Sequence, residues 1–197
     1  MSFIIFIKAL VLCLLFSSHA YADEVLPQIT ARLVKTAIAE GDFRQEKQLK
    51  VLRKPLISTG RFTYHHNKGV AWKTLTPISS LLLVNDTHLL TSQGEQTVPV
   101  VFGKIFTAML GGDLAGLSDV FFITGTNQSA SWQLQLSPKD ELLKKVIDTM
   151  RLAGDDELRF VEIRESGGNI SRIEFTRINH PAQLSPEQDA DFARLSR

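Results

Sequence analysis

The sequence predicts an α+β protein in which an antiparallel sheet is interrupted by helices. From Phe43 to about Leu136, short runs rich in Val, Ile, Thr, Phe and Trp are broken by turn residues every eight to twelve positions, which is typical of an antiparallel meander. Within that stretch, Phe102–Leu110 changes to helical periodicity, with apolar residues at i, i+3, i+4, i+7 and i+8. Strands and helices therefore share one stretch of chain.

The first 22 residues have the parts of a secretory signal peptide. Lys8 precedes the apolar run Ala9–Phe16, and the segment closes on Ala20-Tyr21-Ala22, a small-x-small cleavage site. We expect cleavage before Asp23. The alternative is a membrane anchor, but the run is short of the roughly 20 apolar residues that a spanning helix needs. Cys13, the only cysteine, would leave with the signal, so we expect an exported, soluble chain with neither a disulfide nor a lipid-modified N-terminal cysteine.

Residues 23–197 have the length of one domain, and we expect a single domain there. Lys8 is the only charged residue before them, so their basic residues equal their 21 acidic ones and their net charge is zero. This balance gives no electrostatic reason to expect nucleic acid or an anionic membrane as a partner.

The first half of this domain begins with a helix. Leu26, Ile29, Leu33 and Ala37 recur at helical spacing, and Gly41 is a natural stop. Turns between the following strands are predicted at three places, Asn67-Lys68-Gly69, Asn85-Asp86 and Ser92-Gln93-Gly94.

The second half combines helices and strands. Gly111-Gly112-Asp113 ends the helix Phe102–Leu110, and a shorter segment follows over Leu114–Ser118. Another helix is predicted over Pro138–Asp148, with Ser137 as its cap and Pro138 at the first helical position. Strands Leu158–Glu165 and Asn169–Ile178 are joined through Gly167-Gly168, a hairpin signal.

Two adjacent histidines, His65 and His66, stand between aromatic residues in the stretch GRFTYHHNKGVAWKT. On a strand, successive side chains point to opposite faces, so the pair cannot hold one metal ion unless the strand is distorted. His88 and His180 lie in separate segments without ligand spacing. We therefore expect the tip of a β-hairpin and no metal site.

Catalytic motifs are absent from the sequence. It has no G-x-S-x-G elbow, no phosphate-binding glycine loop and no cysteine after the signal segment. A Ser–His–Asp site assembled from distant segments stays open as an alternative. We expect no enzyme, no catalytic residue and no cofactor.

The helix Phe102–Leu110 has two explanations. It is either an ordinary core helix or a movable lid over an apolar cavity. Its apolar stripe, which includes two Phe and a Met, favours the lid, since Met suits surfaces that repack around variable partners. The proposed stripe consists of Phe102, Ile105, Phe106, Met109 and Leu110.

Several motifs occur in order behind the first helix: Phe43-Arg44-Gln45, Gly60-x-Phe62-x-Tyr64, Gly69-x-x-Trp72, Thr76-Pro77, Trp132-x-Leu-x-Leu-x-Pro138 and Ser166-Gly167-Gly168-Asn169. From Leu26 to Ile178 the chain resembles the LolA family, periplasmic carriers that take lipoproteins to the outer membrane. The resemblance implies an incomplete (unclosed) antiparallel β-barrel with helices as a lid over a hydrophobic cavity. Residues at matching positions, Phe43, Gln45, Gly60, Trp72 and Pro77, would be architectural.

Strand parity alone would place Phe62, Tyr64, Trp72 and Trp132 on the side of the sheet that faces the cavity with the lid helix. The resemblance adds a candidate latch for this helix. The family carries an Arg-Pro pair before the tryptophan, and that arginine helps to hold the lid closed. Here His66-Asn67 stands in that place, with Arg61 nearby, so His66 and Arg61 are the candidate lid latches. This departure indicates a divergent branch.

Such a carrier would be a soluble monomer in the periplasm of a Gram-negative cell. It would take a lipoprotein or lipid from an inner-membrane donor complex to an outer-membrane acceptor protein. Two alternatives are a carrier of another lipid (a glycolipid or a polyene-type lipid) and a domain that senses misplaced lipoproteins. An enzyme is a third. An outer-membrane barrel is disfavoured, because Arg44–Lys50 and Asp191–Arg197 offer no apolar band for lipid.

Overall fold

A computed structural model describes residues 22–85, 88–91, 94–96 and 100–196, with side chains at all of these positions except 22–24, 94–96, 100, 102 and 196. The signal segment lies outside these residues, apart from Ala22. Within them, eleven strands form one antiparallel sheet: β1 Ile38–Gln48, β2 Leu56–His65, β3 Gly69–Thr76, β4 Ser80–Val84, β5 Leu89–Thr91, β6 Gly94–Gln96, β7 Phe121–Asn127, β8 Trp132–Pro138, β9 Ile147–Gly154, β10 Leu158–Glu165 and β11 Ile170–Asn179.

Four helices accompany the sheet in the described part of the chain: α1 Ala22–Arg32, α2 Val100–Gly111, α3 Glu141–Lys144 and α4 Pro186–Phe192. Two 3-10 segments follow α2 and α4, at Ala115–Asp119 and Ala193–Ser196. The helix predicted over Phe102–Leu110 and the short segment after it are therefore close to their predicted positions.

The strand order is β6-β5-β4-β3-β2-β1-β11-β10-β9-β8-β7. Strand β1 pairs with both β2 and β11. The first and the last strands along the chain are therefore neighbours at the centre of the sheet. The edge strands of the described sheet, β6 and β7, do not pair with each other. The barrel is thus unclosed, which confirms the predicted α+β architecture.

Helices cover both faces of this curved sheet. On the inner face α1 lies against β7, and α2 lies against β1–β4. Together they bury the main core, whose largest fully buried side chains include Trp132, Phe121, Ile29, Leu114, Leu134, Met150 and Leu152. On the outer face Phe192 of α4 packs with Ala71 and Leu83, which are register partners on β3 and β4. The candidate lid is therefore the inner layer formed by α2.

Polar contacts attach α4 to the outer face. Lys68 pairs with Asp189, and Lys73 Nζ lies 2.5 Å from Glu187 Oε1. Gln188 donates from Nε2 to Glu40 Oε2 at 2.6 Å. Each contact joins α4 to β1, β3 or the β2–β3 turn. The helix is therefore fixed to the outer face of the sheet, on the side opposite to α2.

The first helix is shorter than predicted. Leu26, Ile29 and Leu33 are buried as its periodicity requires, but α1 ends at Arg32. Gly41, expected to stop the helix, lies inside β1. The segment from Ile38 pairs with strands on both sides, and two rows of sheet hydrogen bonds outweigh a weak helical preference.

The helix predicted over Pro138–Asp148 is wrong over most of its length. Ser137 and Pro138 end β8, paired with Phe122 and Phe121. The actual cap is Asp140, whose side chain accepts from the backbone N–H groups of Leu142 and Leu143 in the four-residue helix α3. From Ile147 the chain forms β9, which pairs with β8 and β10. Hydrogen bonding to a strand on each side therefore favours a strand over the predicted helix here.

Two of the four predicted turns are confirmed, and the other two, Asn85-Asp86 and Ser92-Gln93-Gly94, lie partly outside the described residues. The turn between β2 and β3 follows His65 and returns at Gly69, whose φ is 100°. The turn between β10 and β11 contains Gly168 with a φ of 87°. Both glycines occupy the left-handed region that other residues rarely adopt.

Candidate functional site

The apolar stripe of α2 faces the interior of the sheet. Ile105 and Met109 are each only 4% exposed, while Phe106 and Leu110 are half-buried against the same core. These positions share one side of the helix because they are separated by three or four residues. The side chain of Phe102 lies outside the described residues. The helix thus presents at least four apolar side chains to the sheet.

Aromatic side chains of the sheet form the floor beneath this helix. Trp72 stacks on Phe43 with ring centroids 3.7 Å apart and meets Phe106 edge-on at 5.4 Å. Phe175 approaches Trp72 at 6.1 Å and Phe62 at 5.4 Å, both in edge-on contacts. Because Phe62 and Trp72 are register partners, they project from the same face.

Two glycines let α2 approach the sheet closely. A Cβ atom on Gly103 would lie 2.3 Å from the backbone oxygen of Asn85, at the end of β4. A Cβ atom on Gly111 would lie 2.5 Å from Tyr64 Oη. The helix is therefore seated against the sheet near both of its ends, at contacts that a larger residue would disturb.

The enclosed cavity that described residues line beneath α2 is small. A cavity lined by Phe62, Met109, Leu110 and Ile178 among others measures about 20 Å³, which is room for about one water molecule. Sites for small organic ligands usually measure roughly 300–1,000 Å³. This enclosed cavity is therefore too small for an acyl chain, and apolar side chains of α2 occupy the interior beside it.

Trp132 lies in the same core but in the other half of the sheet. It is 2% exposed, and its Nε1 donates to the backbone oxygen of Asp155 at 2.7 Å. Its strand β8 is separated from β3 by five intervening strands. The ring therefore holds the β9–β10 turn and is not part of the aromatic floor around Trp72.

The two candidate latches lie on different sides of the sheet. His66 follows the last residue of β2, and its backbone N–H donates to Ala37 O at 2.8 Å. Its exposed side chain lines a crevice of about 500 Å³, together with Lys104 of α2 and Asp113. Arg61 instead lies on the outer face, with Nε 3.8 Å from Asp42 Oδ1. Of the two, His66 is the one beside α2.

His65 lies on the other side of the tip, toward α4. Its ring centroid is 6.3 Å from that of Phe192, and its Nδ1 accepts from Asn67 N at 3.1 Å. Burial lowers the pKa of His65, and the nearby Lys68 ammonium lowers it further. The folded protein therefore favours the neutral ring more than the unfolded chain does.

The described part of the chain contains neither a metal-binding cluster nor a membrane-spanning helix. No group of three or more His, Cys, Asp or Glu side chains converges there in a way that could hold a metal ion. None of its helices combines the length and the apolar character needed to cross a bilayer.

Sequence reasoning missed some residues of this site. Phe175 contacts both Phe62 and Trp72, and its alternation with buried Ile173 on β11 was the available signal. The close approaches at Gly103 and Gly111 had no such signal, because they depend on where α2 crosses the sheet.

The sequence and the fold were compared with those of known proteins. A family model described as outer membrane lipoprotein carrier protein LolA-like matches residues 20–188. No curated protein matches the sequence. Two similar crystal structures are a LolA superfamily protein from Nitrosomonas europaea (9% identity, 85% of this chain and 96% of that chain, TM-score 0.48) and a DUF1329 family protein from Desulfovibrio piger (8% identity, 87% and 95%, TM-score 0.49).

Proposed function

We propose a carrier function for this chain, which belongs to the family matched by that model, the LolA-like outer membrane lipoprotein carrier proteins. It binds the acyl chains of a lipoprotein or lipid in the apolar interior beneath α2. It then carries them through the periplasm towards the outer membrane. The observation that carries this proposal is the apolar face of α2, which occupies the interior of an unclosed barrel.

The energetics of acyl transfer require such a device. Exposure of an acyl chain to water costs about 0.8 kcal/mol per CH₂, so a sixteen-carbon chain costs on the order of 12 kcal/mol. A carrier must offer comparable burial and still release its cargo. When α2 covers the empty interior with its own side chains, the closed state competes with the cargo and lowers its net affinity.

The cargo-binding residues would be those at the contact between helix and floor. On the sheet these are Phe62, Tyr64 and Trp72, and on the helix they are Ile105, Phe106, Met109 and Leu110, with Phe102 continuing the stripe in sequence. Trp132 would support the barrel from its far half. His66, beside α2, is the candidate latch that holds the helix closed.

The proposed cycle needs no nucleophile, metal or cofactor. An inner-membrane donor complex would load the cargo, and an acceptor protein at the outer membrane with a better pocket would receive it. The carrier would act as a soluble monomer after removal of residues 1–22.

Mass spectrometry of lipids that co-purify with the protein from native periplasm tests the proposal directly. We expect an acylated polypeptide or a lipid in stoichiometric amounts, and its chemistry would separate a lipoprotein carrier from a carrier of another lipid. A matched preparation of Phe106→Asp should contain much less of it. A protein that is free of lipid, and that also hydrolyses ester substrates, would overturn the carrier function.

A further inference from the structure

Exposed apolar side chains collect at one end of the barrel. Among the described residues, every large apolar side chain that is strongly exposed, except Val34, lies at this end: Val51, Leu52, Leu56, Ile57, Leu75, Ile78, Phe122, Leu142 and Val146. The strand register places them at the same end of the sheet. At that end Lys47 pairs with Leu56, Thr59 with Thr76, Phe121 with Pro138 and Glu165 with Ile147.

The turn between β1 and β2, residues 49–55, holds the most exposed of these side chains, Val51, and is called the β1–β2 tip below. Val51 is 87% exposed and Leu52 is 40% exposed. Beside the tip, Ile78 in the β3–β4 turn is 77% exposed. Side chains of this size at the ends of neighbouring turns form a patch without an internal partner, and such patches mark interaction sites.

The tip also carries positive charge without compensation. No acidic residue occurs between Glu46 and Asp86 in the sequence. Several cations of this stretch form ion pairs with carboxylates from other segments; Lys47 Nζ, for example, lies 2.8 Å from Glu165 Oε1. Lys50, Arg53 and Lys54 are exposed, and none of them forms an ion pair with any described residue. Three free cations therefore surround Val51 and Leu52.

A second turn at the same end repeats this composition. Leu142 in α3 is 69% exposed and lies beside exposed Lys144 and Lys145. Lys144 is compensated, because its Nζ lies 2.7 Å from Glu141 Oε1, so this turn contributes less charge than the tip.

We propose that this end of the barrel, led by the β1–β2 tip, docks on the surface of an anionic lipid bilayer. Val51 and Leu52 enter the interface between headgroups and acyl chains. Lys50, Arg53 and Lys54 bury their stems along the same surface and place their charges on lipid phosphates. The net charge of zero gave no reason to expect such a partner, but charge acts locally within a distance of about 8–10 Å in physiological salt.

This inference goes beyond the proposed carrier function, because docking concerns the outside of the barrel and needs no cargo. The tip is also far from the proposed cargo site. The cavity lined by Phe62 and Met109 lies near the opposite end of the barrel, where Val34 N donates to Asp156 O at 3.0 Å. Val34 and exposed Lys35 at that end provide a matched control pair for the tip.

The test measures co-sedimentation of the exported protein with vesicles of phosphatidylethanolamine and phosphatidylglycerol, and with vesicles of phosphatidylcholine alone. Binding should require the anionic vesicles.

Replacement of Lys50, Arg53 and Lys54 by Gln should weaken binding roughly 100-fold, since each cation near an anionic surface contributes about fivefold. The double variant Val51→Ser, Leu52→Ser should weaken it by about tenfold or more. The control Val34→Ser, Lys35→Gln should bind as the parent does. All variants share one N-terminus, verified by intact mass, so differences belong to the tip.

A second measurement reports insertion itself. The Val51→Cys variant, labelled with an environment-sensitive fluorophore, should shift its emission to the blue when anionic vesicles are added, while labelled Val34→Cys should not change. An unchanged probe at position 51, or vesicle binding that ignores headgroup charge or survives both tip variants, would overturn the proposal. So would concentration-dependent self-association that buries the labelled tip while vesicles leave it exposed.

Discussion

Phe106 of α2 meets the edge of Trp72 of β3, with ring centroids 5.4 Å apart and planes inclined by 66°. Trp72 in turn stacks on Phe43, so one side chain of the helix completes an aromatic group that begins on β1. Edge-on and offset aromatic pairs contribute about 0.5–1.5 kcal/mol beyond their burial. This contact links α2 to the aromatic floor of the sheet.

Phe106→Asp is expected to leave the protein folded and to abolish most binding of an apolar ligand. In a fixed core helix, a buried unpaired charge would threaten a domain whose whole stability is about 5–15 kcal/mol. In a lid, the helix swings out and exposes the charge to water. Thermal unfolding and titration with a fluorescent fatty-acyl probe measure the two properties in parallel.

The control for this change is Lys104→Asp, which puts the same carboxylate on an exposed position of the same helix. It should bind the probe nearly as the parent does. Retained probe binding by Phe106→Asp, or global unfolding of that variant, would count against the lid.

Gly103→Ala should destabilise the closed state although alanine favours helices by about 1 kcal/mol over glycine. The new Cβ would meet the backbone oxygen of Asn85 at 2.3 Å, so α2 must move outward. We expect a loss of about 1–3 kcal/mol in the free energy of unfolding together with a several-fold gain in probe affinity, because the competing closed state is weaker.

Gly116→Ala is the matched control, since a Cβ there would meet no atom within 4 Å. It should change neither property. A Gly103→Ala protein that is more stable than the parent, with unchanged probe affinity, would show that α2 does not have to seat at this contact.

Replacement of both His65 and His66 by Asn should leave folding nearly unchanged at neutral pH, because both residues belong to a hairpin tip. The pKa of His65 is lowered by burial and by Lys68, so the unfolded chain takes up its proton more readily than the folded protein. The parent should therefore lose a little stability as the pH falls below the ordinary histidine value of 6.5, and the variant should lack this component.

Thermal unfolding across this pH range measures the effect. Zinc bound to the purified protein, or unfolding upon chelation, would contradict the hairpin-tip assignment. If cargo affinity depends on pH and His66→Asn alone removes that dependence, His66 is the lid latch.

Processing is expected to leave Asp23 as the first residue, because Ala20-Tyr21-Ala22 completes a signal peptide. N-terminal sequencing of the protein from the soluble periplasmic fraction checks this. An intact apolar segment recovered in the membrane fraction would contradict both the cleavage and the soluble carrier.

Much of the architecture could be predicted because it depends on local pattern. The stripe of α2, the hairpin tip after His65 and the β10–β11 turn at Gly168 each follow from periodicity or turn chemistry within about ten residues. Predictions failed where pairing partners lie far away in sequence. A helix was expected from Pro138, but Pro138 is the last residue of β8, because Phe121 and Phe122 pair with Pro138 and Ser137. The rest of the predicted helix contains the four-residue helix α3 and the start of β9.

The sequence by itself determined which segments are apolar on one side, where the main turns occur, and the family to which the ordered motifs point. These properties are carried by neighbouring residues, whose preferences act before any fold exists. Only the tertiary structure decided that α2 lies on Trp72, that His66 and Arg61 stand on opposite sides of the sheet, and that Val51 and Ile78 project from the same end. Such relationships depend on strand register and sheet curvature, which long-range burial and hydrogen bonding determine together.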